Sequence, residues 1–219
     1  MTQIINRPTA TLSRWPFLPI TGAVIVAGPL LTLVSELIAP REPEGKSDAE
    51  EVRFLVDNAD RLTFSWIIGL VAAAALAAGY VLIASRLAGR GRIVGRVAAT
   101  LGVLGAIGLA GHYAVSLATL DVALEDSTLT AAVAAAEDGR AAVATIPLVV
   151  LGLNLAIMLI CVAAYRARLV PGWVIGLGVL AFLGDFSPTN YNTVLHATFA
   201  TVAFAMISAG IRRATPTEG

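Results

Sequence analysis

The stretch LTFSWIIGLVAAAALAAGYVLIAS, residues 62–85, decides the fold class of this chain. It contains no charged side chain, and about 20 apolar residues are enough for a helix to cross a bilayer. Inside lipid, only helices and closed barrels satisfy every backbone polar group, and an uninterrupted apolar run of this length is typical of a helix. Residues 62–85 are therefore predicted to form a transmembrane helix.

The composition of the whole chain agrees with this interpretation. Hydrophobic residues make up 57% of the 219 residues and charged residues 14%, whereas a soluble domain is about 25% charged. We expect a single membrane domain over residues 1–219 that contacts membrane lipid, and we find no basic patch suited to nucleic acid. Cys161 is the only cysteine, which excludes a disulfide framework and a cysteine metal site.

Six apolar segments are long enough to be considered as spans, so the predicted fold is all-α with six transmembrane helices. The segments are residues 16–39, 62–85, 94–120, 141–165, 169–184 and 191–211. The first is too long for the core of a signal peptide, so we expect it to be an uncleaved span. In the third, Gly102, Gly105, Gly108 and Gly111 predict close approach of neighbouring helices.

The arginines alternate between the connections in a way that predicts orientation. Basic residues collect on the cytoplasmic side of membrane proteins, and here every second connection is basic while the others are acidic. The basic ones hold Arg7 and Arg14 before the first segment, Arg86, Arg90, Arg92 and Arg96 after the second, Arg166 and Arg168 after the fourth, and Arg212 and Arg213 after the sixth. We therefore expect a multi-pass protein of the cell membrane with both termini in the cytoplasm.

The first outer connection carries a helix signal of its own. Ser47 and Glu50 have the S-x-x-E spacing of a capping box, and apolar residues recur at helical spacing over residues 52–59. We expect a short amphipathic helix on the outer surface. It is either a lid over a pocket or a structural interface helix.

The only two histidines fall at a similar depth in the membrane. At about 1.5 Å per residue, His112 and His196 lie roughly 8–12 Å below the outer surface. Glu36 and Asp185 lie near the outer ends of their segments. Ionisable groups in a membrane are costly and mark functional sites, so these four residues are the candidate catalytic groups.

Helical spacing extends the candidate site. Ser116 and Thr119 follow His112 at i+4 and i+7, while Thr189 and Asn192 precede His196 at i−7 and i−4. We expect these stripes to face the bundle interior and to form a polar cavity open toward the outer side. Its predicted lining is Glu36, His112, Ser116, Asp185, Tyr191, Asn192 and His196.

Such a site is suited to general acid–base catalysis on a hydrophobic, isoprenoid-like substrate, of isomerase or cyclase type. Glu36 and Asp185 would be the proton donors, and His112 and His196 would be the bases or orienting groups. Small polytopic terpene cyclases are similar in size and in the placement of carboxylates at helix ends, although they share no motif with this chain. The predicted substrate-binding residues are Ser116, Tyr191, Asn192, Tyr113 and Trp66.

Other interpretations of the same residues remain open. His112 and His196 on two helices could hold haem b, and the polar cavity could instead serve a small transport, sensory or accessory subunit. No resident metal is expected, since two histidines and scattered acids lack a metal-ligand spacing. Asn154 is interpreted as an interhelical hydrogen-bond partner.

Two stretches carry a resemblance. AEEVRFLVDNADRLTFSWIIGLV, residues 49–71, and LVPGWVIGLGVLAFLGDF, residues 169–186, are similar to a broad set of uncharacterised six-span bacterial integral membrane proteins. The resemblance covers most of the chain. It implies the six-span topology and no particular activity.

Overall fold

The computed structural model describes residues 19–41, 47–125, 139–187 and 191–214, and the fold is all-α. A 3₁₀ turn spans Gly89–Gly91, and a π-helical turn spans Leu148–Leu153, directly after Pro147. The helices are α1 (Pro19–Ile38), α2 (Asp48–Asp57), α3 (Ala59–Arg86), α4 (Arg92–Glu125), α5 (Arg140–Pro147), α6 (Asn154–Arg166), α7 (Trp173–Asp185) and α8 (Asn192–Ala214).

Within the described ranges, five helical stretches are long and apolar enough to cross a membrane. They are Ile20–Ile38, Ala59–Arg86, Gly89–Glu125, Ala144–Arg166 and Asn192–Ala214. The α7 helix is apolar but shorter, and at 1.5 Å per residue it is about 20 Å long. The chain is therefore a multi-pass membrane protein, as its composition predicted.

The long helices form a closed ring. Each one packs against the next in the chain: α1 on α3, α3 on α4, α4 on the π-helical turn and α6, α6 on α7, and α7 on α8. The ring closes because α8 packs back on α1. Neighbours run antiparallel, so the ring has two ends. The α3–α4 and α6–α7 connections lie at one end, and the α7–α8 connection lies at the other.

Two serines join α1 to α3. The hydroxyl of Ser35 donates to the carbonyl oxygen of Ser65 at 2.8 Å, and the hydroxyl of Ser65 donates to the carbonyl oxygen of Ser35 at 2.9 Å. Both side chains are buried. Each hydroxyl satisfies a carbonyl that already accepts within its own helix, so the pair fixes the register of the two helices without leaving a polar group unpaired.

The glycines of α4 lie where neighbouring helices come closest, which confirms the close approach predicted for this segment. A Cβ at Gly105 would lie 2.6 Å from the backbone N of Leu153, and one at Gly108 would lie 2.6 Å from Cβ of Leu148. A Cβ at Gly102 would collide with the ring of Tyr80. Without side chains at these positions, α4 contacts the π-helical turn backbone to backbone.

The α2 helix packs against one end of this ring. Its buried residues Val52 and Leu55 form an apolar cluster with Leu62 of α3 and with Leu120 and Ala123 of α4. The predicted capping box is present, since the Ser47 backbone N–H donates to Oε2 of Glu50 at 2.8 Å and the Ser47 hydroxyl donates to the same oxygen at 2.9 Å. The apolar face of α2 therefore covers protein.

Some of the sequence predictions fall outside the described residues. Arg7 and Arg14, which contribute to the predicted orientation, precede residue 19. Thr189, the first member of the predicted stripe on α8, belongs to the undescribed residues 188–190.

Candidate functional site

A cavity of about 50 Å³ lies inside the ring. Helices α1, α3, α4, α7 and α8 and the π-helical turn all contribute to its lining. Most of the wall is apolar and comes from side chains such as Leu76, Leu109, Val149, Leu153 and Phe204. Its polar groups include Asp185, Thr193 and His196, at the end where α7 stops and α8 begins. The cavity is thus a mostly apolar space with an acid and an imidazole at one end.

Asp185, the last residue of α7, is held by side chains from two other helices. Oδ2 of its carboxylate accepts a hydrogen bond from Nδ2 of Asn154 at 2.6 Å. Its backbone carbonyl oxygen accepts one from Nδ2 of Asn192 at 3.4 Å. Asn154 is buried at the first turn of α6, directly after the π-helical turn. These contacts fix the orientation of the carboxylate.

The imidazole of His196 is oriented by the backbone of α7. Its Nδ1 lies 3.2 Å from the carbonyl oxygen of Ala181. A carbonyl oxygen can only accept, so Nδ1 carries the proton in this hydrogen bond and Nε2 is left as the basic nitrogen. His196 and Asp185 line the same cavity and lie close enough to interact electrostatically.

The sequence of α8 explains why the cavity is there. Thr193, His196, Ala197, Ala200 and Phe204 follow helical spacing and share the face that lines the cavity. The two alanines leave space that larger side chains would fill. At the neighbouring helix, a Cβ at Gly184 would lie 3.1 Å from the backbone N of His196. The absence of a side chain at Gly184 brings Asp185 close to α8.

Glu36 belongs to a second polar group beside the cavity. Its Oε1 accepts a hydrogen bond from the hydroxyl of Tyr113 at 3.3 Å. The ring of Tyr113 is buried and lies on Gly69 of α3, where a Cβ would collide with it. Glu36 is close enough to Arg41 and to Asp185 to interact electrostatically with both. The two predicted proton donors therefore lie near each other, although only Asp185 lines the cavity.

His112 does not share a space with His196. The prediction that it faces the bundle interior is wrong, because its side chain is exposed on α4 while the adjacent Tyr113 is buried. His112 is also absent from the lining of the cavity that holds His196. A haem b held by both histidines needs two imidazoles facing one space. The arrangement of these residues does not fit a bis-histidine haem site.

The predicted substrate-binding residues are spread over several places. The hydroxyl of Ser116 donates to the carbonyl oxygen of His112 at 3.1 Å, within its own helix. Tyr191 is exposed, and the guanidinium carbon of Arg41 lies 4.4 Å from its ring centroid. Trp66 is half-buried between the main core and the cluster under α2. Asn192 contacts Asp185. Tyr113 contacts Glu36.

Sequence reasoning missed two residues of the site. Thr193 lines the cavity, and its spacing of three residues from His196 was a signal that could have identified it. Asn154 was interpreted as interhelical packing, and it does join α6 to α7. Its partner, however, is the candidate acid Asp185. No sequence pattern indicated that pairing, since it depends on how the two helices are rotated.

Among the residues that the structure describes, no group of three or more His, Cys, Asp and Glu side chains is placed to hold a metal ion. Comparison with protein-family models, with curated proteins and with solved structures finds none that matches this chain.

Proposed function

We propose that this protein is a membrane-embedded enzyme that performs acid–base catalysis on a hydrophobic, isoprenoid-like substrate, as an isomerase or a cyclase does. The observation that supports this proposal is the pairing of Asp185 with His196 at one end of a cavity with apolar walls. An apolar wall selects a hydrocarbon chain, and the pair supplies one proton donor and one proton acceptor.

The proposed reaction is a proton transfer in two steps. Oδ2 of Asp185 accepts a hydrogen bond from Asn154. The transferable proton is therefore carried by Oδ1. Protonated Asp185 adds this proton to one carbon of an alkene, leaving a carbocation on the substrate and a carboxylate on the protein. Nε2 of His196 then removes a proton from a neighbouring carbon, and the double bond reforms in a new position. Transfer of that proton from His196 to Asp185 restores the starting state.

The second carboxylate has a supporting role in this proposal. Glu36 interacts with Asp185 and accepts a hydrogen bond from Tyr113. Glu36 is the second candidate proton donor, although it does not line the cavity. Trp66 and Tyr191 lie away from the cavity and would contact only the parts of the substrate outside it.

The size of the cavity limits how much substrate it can enclose. A cavity of about 50 Å³ has room for a few water molecules or a short segment of a chain. Pockets that enclose whole drug-sized ligands are several hundred Å³. We therefore expect the reacting segment to enter the ring while the remainder of the chain extends between helices into the lipid.

The orientation in the membrane is part of the same proposal. The α7 helix is about 20 Å long and joins the two ends of the ring, so we count it as a sixth span beside the five longer ones. With the arginine-rich end in the cytoplasm, both termini are cytoplasmic and the Asp185–His196 pair lies toward the outer side. The α2 helix then lies on the outer surface.

The test compares the apolar compounds that remain bound to the purified wild-type protein and to two variants, by solvent extraction and mass spectrometry. Asp185→Asn removes the proton donor and leaves the cavity wall intact, so it should retain substrate and lose product. Ala200→Leu fills the cavity, so it should retain neither compound. His112→Gln is the matched control, since its side chain is exposed, and it should behave as the wild type.

Two results would contradict the proposal. Equal amounts of substrate and product in the wild type and in Asp185→Asn would remove Asp185 from the chemistry. Uptake of a solute into proteoliposomes that depends on a pH gradient and on Asp185, without conversion of any bound compound, would indicate transport in place of catalysis.

A further inference from the structure

One end of the ring carries arginine side chains from three separate parts of the chain. We call this set the arginine collar. Seven of its eight members are exposed and the other is half-buried. They are Arg86, Arg90, Arg92, Arg96, Arg166, Arg168, Arg212 and Arg213.

The acidic residues lie at the other end. Every Asp and Glu that the structure describes belongs to the end that holds α2 and the α7–α8 connection. These residues are Glu36, Asp48, Glu50, Glu51, Asp57, Asp60, Asp121, Glu125 and Asp185. The carboxylates of the described residues therefore lie at the opposite end of the ring from the collar.

Tight backbone contacts hold the three parts of the collar together. A Cβ at Gly91, between Arg90 and Arg92, would collide with the carbonyl oxygen of Ala163 near the end of α6. A Cβ at Gly210, two residues before Arg212, would collide with the carbonyl oxygen of Leu169 in the α6–α7 connection. The α3–α4 and α6–α7 connections and the end of α8 thus form one continuous surface.

Exposed apolar side chains place this surface at the edge of the hydrocarbon layer. Ile93, which follows Arg92, is 76% exposed, and Trp173 at the start of α7 is 57% exposed. Trp side chains prefer the boundary between acyl chains and headgroups. Arginines beside such residues extend to the depth of the lipid phosphates. A soluble polyanion would not have to reach that depth.

We propose that the arginine collar is a binding surface for the phosphate groups of anionic phospholipids. An arginine excess is enough to orient a membrane protein, whether its residues are scattered or clustered. The collar goes further, because guanidinium groups from two connections and from the end of α8 share one continuous surface. Guanidinium groups bind phosphate oxygens through two parallel hydrogen bonds. Clustered juxtamembrane arginines recognise anionic headgroups.

The test is native mass spectrometry of the full chain purified in a neutral detergent, with phosphatidylglycerol and phosphatidylcholine of identical acyl chains added in equal amounts. The wild type should retain the anionic lipid in preference to the zwitterionic one. The double variant Arg90→Gln/Arg92→Gln should lower that preference by about thirtyfold, the change expected for two lost headgroup contacts. Arg90→Lys/Arg92→Lys, which keeps the charge, should lower it less.

The matched control is Arg53→Gln/Arg61→Gln at the other end of the ring, which removes the same charge and should leave the preference unchanged. Arg212→Gln/Arg213→Gln at the end of α8 is a second test and should also lower the preference for the anionic lipid. These substitutions lie outside the α3–α4 connection, so misfolding of that connection would not explain their effect. Equal retention of the two lipids by the wild type would overturn the proposal. So would equal losses in the collar and control variants, since net charge alone would then explain the binding.

Discussion

Two helical glycines, Gly105 and Gly176, have opposite surroundings. A Cβ at Gly105 would lie 2.6 Å from the backbone N of Leu153, whereas a Cβ at Gly176 would have no described heavy atom within 4 Å. Glycine-to-alanine substitution at both sites therefore separates the cost of overpacking from the gain in helix propensity. Gly105 allows α4 to approach the π-helical turn, and Gly176 has no such neighbour.

We expect Gly105→Ala to lower the free energy of unfolding by about 1–3 kcal/mol, the usual cost of overpacking. Gly176→Ala should leave it unchanged or raise it by up to about 1 kcal/mol, since alanine is the better helix former. Unfolding of the purified protein by SDS titration measures both. Equal effects of the two substitutions would contradict the close packing of α4 on the π-helical turn.

Residue identity alone predicted part of the site. Asp185 and His196 are candidates because ionisable groups are costly in a membrane, and both line the cavity. His112 was chosen for the same reason, but its side chain is exposed. Depth follows from counting residues along a helix. The direction of a side chain depends on rotation about the helix axis, which counting residues along the helix does not fix.

At the scale of elements, the capping box of α2 makes this helix sensitive to pH. The Ser47 backbone N–H and the Ser47 hydroxyl donate to the Glu50 carboxylate and lower the pKa of Glu50 below its ordinary value of 4.5. A group whose pKa is lowered on folding contributes stability that is complete above the ordinary pKa. That contribution is lost as the pH falls through the lowered pKa.

We therefore expect α2 to loosen as the pH falls below the ordinary pKa of 4.5, with faster amide hydrogen exchange over residues 48–57 than at pH 7. Glu50→Gln is the matched control, because glutamine can form the same box but does not titrate. In this variant, amide hydrogen exchange over α2 should not become faster at low pH through loss of the capping box. The same acid response in both proteins would mean that Glu50 does not hold the start of α2.

The sequence predicted α2 better than it predicted the partner of α2. Ser47, Glu50 and the apolar spacing after them were enough to place a helix and its start. An apolar face has the same pattern whether it meets lipid or protein, so the contact of Leu55 with Leu120 could not be foreseen. The π-helical turn was also missed, since Pro147 indicates a break in the helix without specifying its geometry.

At the scale of the whole molecule, antiparallel neighbours and unequal charge at the two ends lead to one expected topology. Alkaline phosphatase, which is active only outside the cytoplasm, should be active when fused after Glu125 and inactive when fused after Arg168. It should be active again after Phe186, because α7 crosses between the last two positions. Green fluorescent protein at the C-terminus should fluoresce. Inactive phosphatase after Phe186 would show that α7 does not cross.

The fold was predictable at this scale because its main signals are additive. Apolar length and the arginine distribution each sum over many residues, so an error at one position changes little. The ring closure between α1 and α8 was not predictable. It depends on specific contacts such as the hydrogen bond from the Ser208 hydroxyl to the carbonyl oxygen of Gly22, at 3.4 Å. These residues are far apart in sequence.

The burial of Cys161 has a practical consequence for spectroscopy. Cys161 is the only cysteine in the sequence, and its side chain is fully buried. Its sulfur would lie 3.2 Å from a Cβ at Gly178. A maleimide reagent requires an accessible thiol, so the native protein should remain unlabelled. A cysteine introduced at an exposed position outside the spans, such as Asp57 on α2, would then be the single labelled site. Fluorophores or spin labels can thus report helix motion in a chain that keeps Cys161.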